Sequence, residues 1–228
     1  MILIKNVGVR RLVRVSVPFI LIPLLAVAGT LVFDVKRNLF VSMLIAVLAL
    51  LLFYTGFESK TVGSRRMVIV AVMTALCFVG RFIPFLKPMT ALTIIAAVYL
   101  GGEAGFLVGS LSAVLSNFYF GQGPWTAFQM LAWGLIGLFA GVLSDPIRKS
   151  RVFRTAYGVL SGVAYSMIMD IWTVLWYNGT FGWKYYLAAI TTALPYTLSY
   201  AVSNVVFLVL LFEPFGEKLG RIKKKYGV

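Results

Sequence analysis

The chain has 228 residues, 61% of them hydrophobic and 12% charged, with a mean hydropathy of +0.94. A soluble domain runs near half apolar and a quarter charged, so a soluble enzyme, a disordered chain and a disulfide scaffold are disfavoured together, and a polytopic membrane protein remains. Lys and Arg number 21 against 7 Asp and Glu, a net charge of +14; membrane proteins collect such an excess in cytoplasmic loops, which argues for a lipid bilayer and against nucleic acid as partner.

A helix crossing the hydrocarbon needs about 20 apolar residues. The apolar stretches predict eight spans, near 15–33, 39–57, 67–86, 89–101, 104–120, 125–144, 155–177 and 185–212. Ala26-Val27-Ala28 has the form of a signal-peptidase site, but a second apolar stretch follows at once, as in a helical hairpin. Residues 89–120 are too long for one span, since a single helix there would run about 48 Å against a hydrocarbon core of about 30 Å. Gly101-Gly102-Glu103 offers the turn between two shorter spans. Charge decides the same point. With eight spans and both termini cytoplasmic, 16 of the Lys and Arg fall inside and 5 outside. Merging 89–120 into one span leaves 8 inside and 13 outside, against the positive-inside rule.

The expected fold is therefore an all-α integral membrane protein of the cell membrane. An N-terminal transmembrane hairpin, 1–60, precedes a six-helix core, 61–228, with a basic cytoplasmic tail. Lys223-Lys224-Lys225 in that tail suits an anionic inner leaflet.

Within the core, Ala71 and Ala75 and the pairs Gly105/Gly109, Gly137/Gly141 and Gly158/Gly162 repeat small residues at four-residue spacing. Such pairs let helix backbones approach closely, and packing inside the bundle accounts for them. Cys77 stands alone in an apolar run and His is absent, which leaves no disulfide, thiolate cluster or His-ligated metal. The densest signal is Asn117-Phe118-Tyr119-Phe120-Gly121-Gln122-Gly123-Pro124-Trp125, followed by Gln129. Its glycines and proline shape a tight loop at the outer face. Aromatics with amides are how small-molecule pockets are lined. An interfacial aromatic belt explains the Trp and Tyr equally well, but not the Gly-Gln-Gly-Pro loop.

Asp170 is the one acid expected deep inside a span. Such acids are costly and functional; it would bind substrate, carry a proton or pair with Arg81. Trp172, Trp176 and Asn178 surround the next outer loop, again either belt or pocket. Tyr196, Ser199, Tyr200 and Asn204 in the last span read as interhelical hydrogen-bonding groups. No P-loop is present, so energy for active transport would come from an ion gradient or another subunit. No catalytic constellation is visible, so the chain is not read as an enzyme.

These residues resemble the S component, the substrate-binding subunit, of an energy-coupling factor (ECF) transporter. Arg65-Arg66-Met67 opens a helix whose Ala71-x-x-x-Ala75 resembles the Ala-x-x-x-Ala motif of the family's first core helix. Asn117 to Trp125, continued by Gln129 to Gly137, resembles the loop and fourth core helix of the subgroup linked to cobalamin and related corrinoids. The resemblance covers roughly 61–215, and the N-terminal hairpin departs from the usual six-helix pattern. It implies a vitamin held near the outer face, no intrinsic cofactor, and docking on a membrane T component bearing two ATPase subunits, which alone use ATP to reorient the S component. Ala71 and Ala75 would face the T component. The ligand expected is cobalamin or a related corrinoid, although an aromatic cavity with amides would suit a flavin, a pterin or queuosine as well. Phe118, Tyr119, Phe120, Gln122, Trp125, Gln129, Asp170, Trp172, Trp176 and Asn178 are the expected binding residues. The alternative function is a secondary transporter driven by protons through Asp170.

Overall fold

A computed structural model describes residues 6–32, 35–55 and 60–226. The expected ends of the first two spans, at 33 and 57, lie outside these residues, as do those flanking the hairpin–core boundary at 56–59. The described chain is helical: α1 (Val7–Val32), α2 (Val35–Tyr54), α3 (Lys60–Gly80), α4 (Met89–Leu100), α5 (Gly102–Phe120), α6 (Trp125–Val142), α7 (Ser144–Lys149), α8 (Arg151–Asn178) and α9 (Trp183–Tyr226). By length and composition α1, α6, α8 and α9 can each cross a membrane, while α4 and the Leu39–Phe53 part of α2 are shorter apolar helices. This is a helical membrane protein.

Local chemistry sets the helix ends. The Asn6 side chain caps α1, accepting from the amides of Gly8 at 2.9 Å and Val9 at 3.3 Å. Ser150 caps α8 by accepting from Phe153 N–H at 3.2 Å. The break expected at Gly101 is present: its φ of +97° is one an L side chain rarely adopts, and α4 stops there while α5 begins at the next residue. Pro124 sits immediately before α6, where a missing N–H costs nothing.

Two expectations need correction. The span expected at 67–86 is instead α3, which ends at Gly80 and leaves 81–88 as a loop. Pro84 and Pro88 explain the stop, since each removes a helical donor and pushes its preceding residue out of the α region. Within the loop Leu86 N–H donates to Pro84 O at 2.7 Å, and Phe85 between them is held at a φ of +61°. The last span also runs on beyond 212. The polar tail continues α9 for 44 residues in all, about 66 Å of helix, with Pro195 and Pro214 inside it.

The helix α4 is apolar on every side and forms the centre of the bundle, buried along its length except at Tyr99. It packs on α3, α5, α6 and α9. Around it, α5 and α6 approach through glycine. A Cβ on Gly105 would lie 2.9 Å from Gly137 O, and one on Gly109 would lie 2.5 Å from Trp133 O. The four-residue glycine spacing thus serves backbone contact. On α8, Gly162 meets α9 the same way, since a Cβ there would lie 2.7 Å from Ala201 N.

The hairpin α1–α2 lies against α5, α6 and α8, with Phe19 and Phe139 ring centroids 5.9 Å apart. Its near end is fastened by cations. Arg10 Nε donates to Thr55 O at 2.8 Å, and Arg14 forms an ion pair with Glu103 at 2.9 Å. At the same end Arg66 donates to Leu100 O, Arg148 lies over the Tyr99 ring, and Arg154 pairs with Glu213 at 3.0 Å. The bundle therefore has one strongly basic end. The α3–α4 loop and the α5–α6 loop lie at the other.

Candidate substrate-binding site

Away from the basic end, the α3–α4 loop, α4, α6, α8 and α9 enclose a polar cavity of about 370 Å³. Its wall is aromatic. Trp133 of α6 stacks on Tyr165 of α8, with centroids 4.6 Å apart and planes 25° from parallel. Tyr200 of α9 meets Tyr165 edge-on at 5.0 Å. These rings are fixed by hydrogen bonds as well as contact. Trp133 Nε1 donates to Thr90 Oγ1 at 3.1 Å, and Gln129 Nε2 donates to Tyr165 OH at 3.3 Å.

Behind the rings runs an amide network. Asn117 Nδ2 donates to Gln129 Oε1 and to Thr126 Oγ1, each at 2.8 Å. Asn117 Oδ1 and Ser116 Oγ each accept from Arg81 at 2.5 Å. Thr126 Oγ1 donates to Gln122 Oε1 at 3.0 Å, and Gln122 Nε2 donates to Val114 O at 2.8 Å. A buried network satisfied in this way fixes its members in one arrangement. It aims Arg81 and Gln129 at the cavity, which both line.

The α3–α4 loop closes one side through Arg81, Phe85 and Lys87. Lys87 is pinned to α9: its amide donates to Ser203 Oγ at 2.7 Å, and that hydroxyl donates back to Lys87 O at 2.8 Å. Burial first, and then the nearby Arg81, push the Lys87 ammonium below the usual lysine range. Asn204, one residue beyond Ser203, donates to Gly158 O at 2.9 Å and ties α9 to α8 beside the cavity.

Of the residues expected from the sequence, Gln129 lines this cavity. Phe120 lies behind it, its ring 4.9 Å from Arg81 Cζ, in a cluster with Phe82 and Tyr119. Gln122 serves the amide network. Trp125 and Trp172 pack edge-to-face at 5.9 Å, and the Trp172 indole N–H is buried without a hydrogen-bond partner among the described residues. Trp176 and Asn178 sit at the exposed end of α8, where Asn178 Nδ2 donates back to Val174 O at 3.2 Å. Phe118 turns to the far side of α5, 57% exposed, and borders a separate apolar groove of about 560 Å³. Ala71 and Ala75 line that same groove from α3, with Leu50 and Phe53 of the hairpin on its edge.

Asp170 is 7% exposed and makes no ion pair or side-chain hydrogen bond among the described residues. The alternative in which it pairs with Arg81 is not realised, since Arg81 is held by Ser116 and Asn117.

Sequence reasoning gave Trp133 and Tyr165 no role in the site, took Arg81 only as a candidate partner of Asp170, and read Tyr196, Ser199, Tyr200 and Asn204 as interhelical hydrogen-bonding groups. A signal for some of them was present: Tyr196, Ser199, Tyr200 and Asn204 recur at helical spacing on α9, which puts hydroxyls and an amide along one face.

Comparison with known proteins agrees on the region that carries the cavity. A family model described as the ECF-type riboflavin transporter, S component, matches residues 62–214, which takes in α4 to α8 and most of α3 and α9. No curated protein and no solved structure matches the chain. Two thirds of the sequence carries that family's pattern, so the chain belongs to the S components of ECF-type transporters and is a substrate-binding subunit of a membrane transport system, not an enzyme.

Proposed function

We propose that this S component binds riboflavin in the cavity between the α3–α4 loop and α9, on the outer side of the cell membrane. The observation that carries the reading is the stacked Trp133–Tyr165 pair on a polar cavity of about 370 Å³, inside the segment matched by the riboflavin-type family. A planar isoalloxazine ring suits aromatic walls, and Gln129 and Asn204 suit its polar edge and its hydroxylated chain. The volume is at the low end of the range of about 300–1,000 Å³ for ligand sites. That favours a tricyclic ring with a short chain over a corrin macrocycle. The cobalamin subgroup expected from the Asn117–Gly137 resemblance is not supported, because the matching family is the riboflavin type.

The charge distribution supports the orientation. The basic ends of α1, α3, α8 and α9 belong on the cytoplasmic side with both termini, which puts the cavity outside. Eight spans result, α1–α2 as a hairpin added to a six-helix core beginning near 61. Like other S components, the chain would dock on a T component carrying two ATPases, with Ala71 and Ala75 on the docking face, and deliver its vitamin by reorienting. Phe120 and Gln122 support the cavity from behind, through Arg81 and the amide network, rather than contact the ligand. The test is quenching of flavin fluorescence on titration into the purified protein in nanodiscs. Saturable one-to-one quenching by riboflavin, absent with cobalamin, is the expected result; no quenching and no co-purified flavin would sink the assignment.

A further inference from the structure

Arg81 and Lys87 both border the cavity, and both crowd one ring: Arg81 Cζ lies 4.9 Å and Lys87 Nζ 5.9 Å from the Phe120 centroid. Neither forms an ion pair among the described residues. None of the described acids pairs with either cation. Glu103 pairs with Arg14, Glu213 with Arg154, and Glu217 approaches Arg221 at 3.9 Å. Asp145 lies in the first turn of α7 at the basic end. Asp170, the remaining described acid, comes within ion-pair distance of neither cation.

Arg81 is half-buried and Lys87 exposed at the mouth of the cavity, and two like charges near one ring repel each other. The acceptors at Ser116 and Asn117 and the Phe120 ring face offer only partial negative charge. Donor capacity also remains. Arg81 uses Nη1 for Ser116 and Asn117, leaving other N–H groups of its five. Lys87 Nζ makes no hydrogen bond among the described residues, since the bonds of that residue to Ser203 are made by its backbone. A neutral ligand would leave water to solvate this pair. An anionic group placed between them would be bound by charge-assisted hydrogen bonds.

We infer that the cavity selects a flavin bearing an anionic group on its side chain, with a phosphate ester held between Arg81 and Lys87 and the ring against Trp133 and Tyr165. The inference rests on the flavin reading above and adds a charge requirement to it. A phosphate monoester carries about −1.5 to −2 at neutral pH, which matches two cations.

The experiment compares riboflavin, flavin mononucleotide and lumiflavin, which lacks the chain, by fluorescence titration into the protein in phosphatidylcholine nanodiscs. The expected result is that the mononucleotide binds about tenfold or more tighter than riboflavin at low salt. The advantage shrinks as salt rises. Lys87→Met lowers the ratio of the two affinities toward one, and lumiflavin responds least to the substitution. Riboflavin binding equally or more tightly than the mononucleotide overturns the inference while leaving the vitamin assignment standing. So does Lys87→Met weakening both alike. Loss of the preference when phosphatidylglycerol is added to the nanodisc assigns the cations to a lipid headgroup and also overturns it. Failure of all three flavins to bind removes the assignment and the inference together.

Discussion

The Ser203 hydroxyl holds the backbone of Lys87 from both sides, accepting from its amide at 2.7 Å and donating to its carbonyl at 2.8 Å. A residue of the last helix thereby fixes a loop that lies 116 positions earlier in the chain. At its other end the loop is held through Arg81, bonded to Ser116 and Asn117, and between the two anchors lie Pro84 and a Phe85 at positive φ. Ser203→Ala removes both bonds, each worth about 1 kcal/mol. Release of bound flavin should become about three- to thirtyfold faster in that variant, with association changed less. Stopped-flow recovery of flavin fluorescence reads the rate directly; an unchanged release rate would show that the loop does not retain the ligand.

The stacked pair makes a second prediction. Trp133→Ala deletes an aromatic wall of the cavity and also the donor to Thr90. Aromatic contacts of this kind contribute about 0.5–1.5 kcal/mol beyond the area they bury, so affinity should fall at least about tenfold. Trp133→Phe keeps a ring and loses the Thr90 hydrogen bond, and should fall between. Equal affinity in the wild type and both variants would place the ligand elsewhere.

Glycine contact gives a prediction about stability alone. Gly109→Leu forces side-chain atoms into the Trp133 backbone carbonyl, which a Cβ alone would already approach to 2.5 Å. The α5–α6 seam must open, and the thermal midpoint in detergent should drop by several degrees, with a cost of about 1–3 kcal/mol for overpacking. Gly220→Ala is the control, because nothing lies within 4 Å of its added methyl. That change should leave the midpoint level or raise it slightly.

Ala71 and Ala75 line a groove away from the cavity. Ala71→Trp should therefore leave flavin affinity within about twofold. If the groove is the docking face for a T component, uptake in cells should be abolished. Normal uptake in cells expressing this variant would remove the groove from the coupling surface.

Asp170 separates the two transport mechanisms. In a proton-driven carrier Asp170→Asn would stop uptake, and collapse of the proton gradient would do the same to the wild type. In an ATP-driven importer uptake persists without the gradient and fails without ATP. The second pattern is the expected one for an S component.

The sequence makes the helices legible because lipid demands long apolar runs and punctuates them with Gly and Pro. Gly101 divided 89–120 correctly for that reason, and charge counting gave the same division. The cavity was less legible. Residues 81–86 are apolar enough to extend a span, and only Pro84 and Pro88 mark the loop that they form. Tyr165 and Trp133 lie inside helices, where a ring facing a cavity and a ring facing a neighbour have the same sequence context. The Asn117–Trp125 segment drew attention through its density of amides and aromatics. In the fold its two amides, Asn117 and Gln122, are joined through the Thr126 hydroxyl, and their effect on the cavity passes through Arg81 and Gln129.

The fastening of α1 and α2 has a mechanical result. Arg10, Arg14 and the contacts along α6 and α8 leave that pair no independent path. If the proposed reorientation tips the core within the bilayer, α1 and α2 must tip with it, sweeping aside more acyl chains than a body without them would. Uptake should then be unusually sensitive to how stiff the surrounding lipid is, and a membrane that gels would arrest this S component before it arrests one lacking the hairpin.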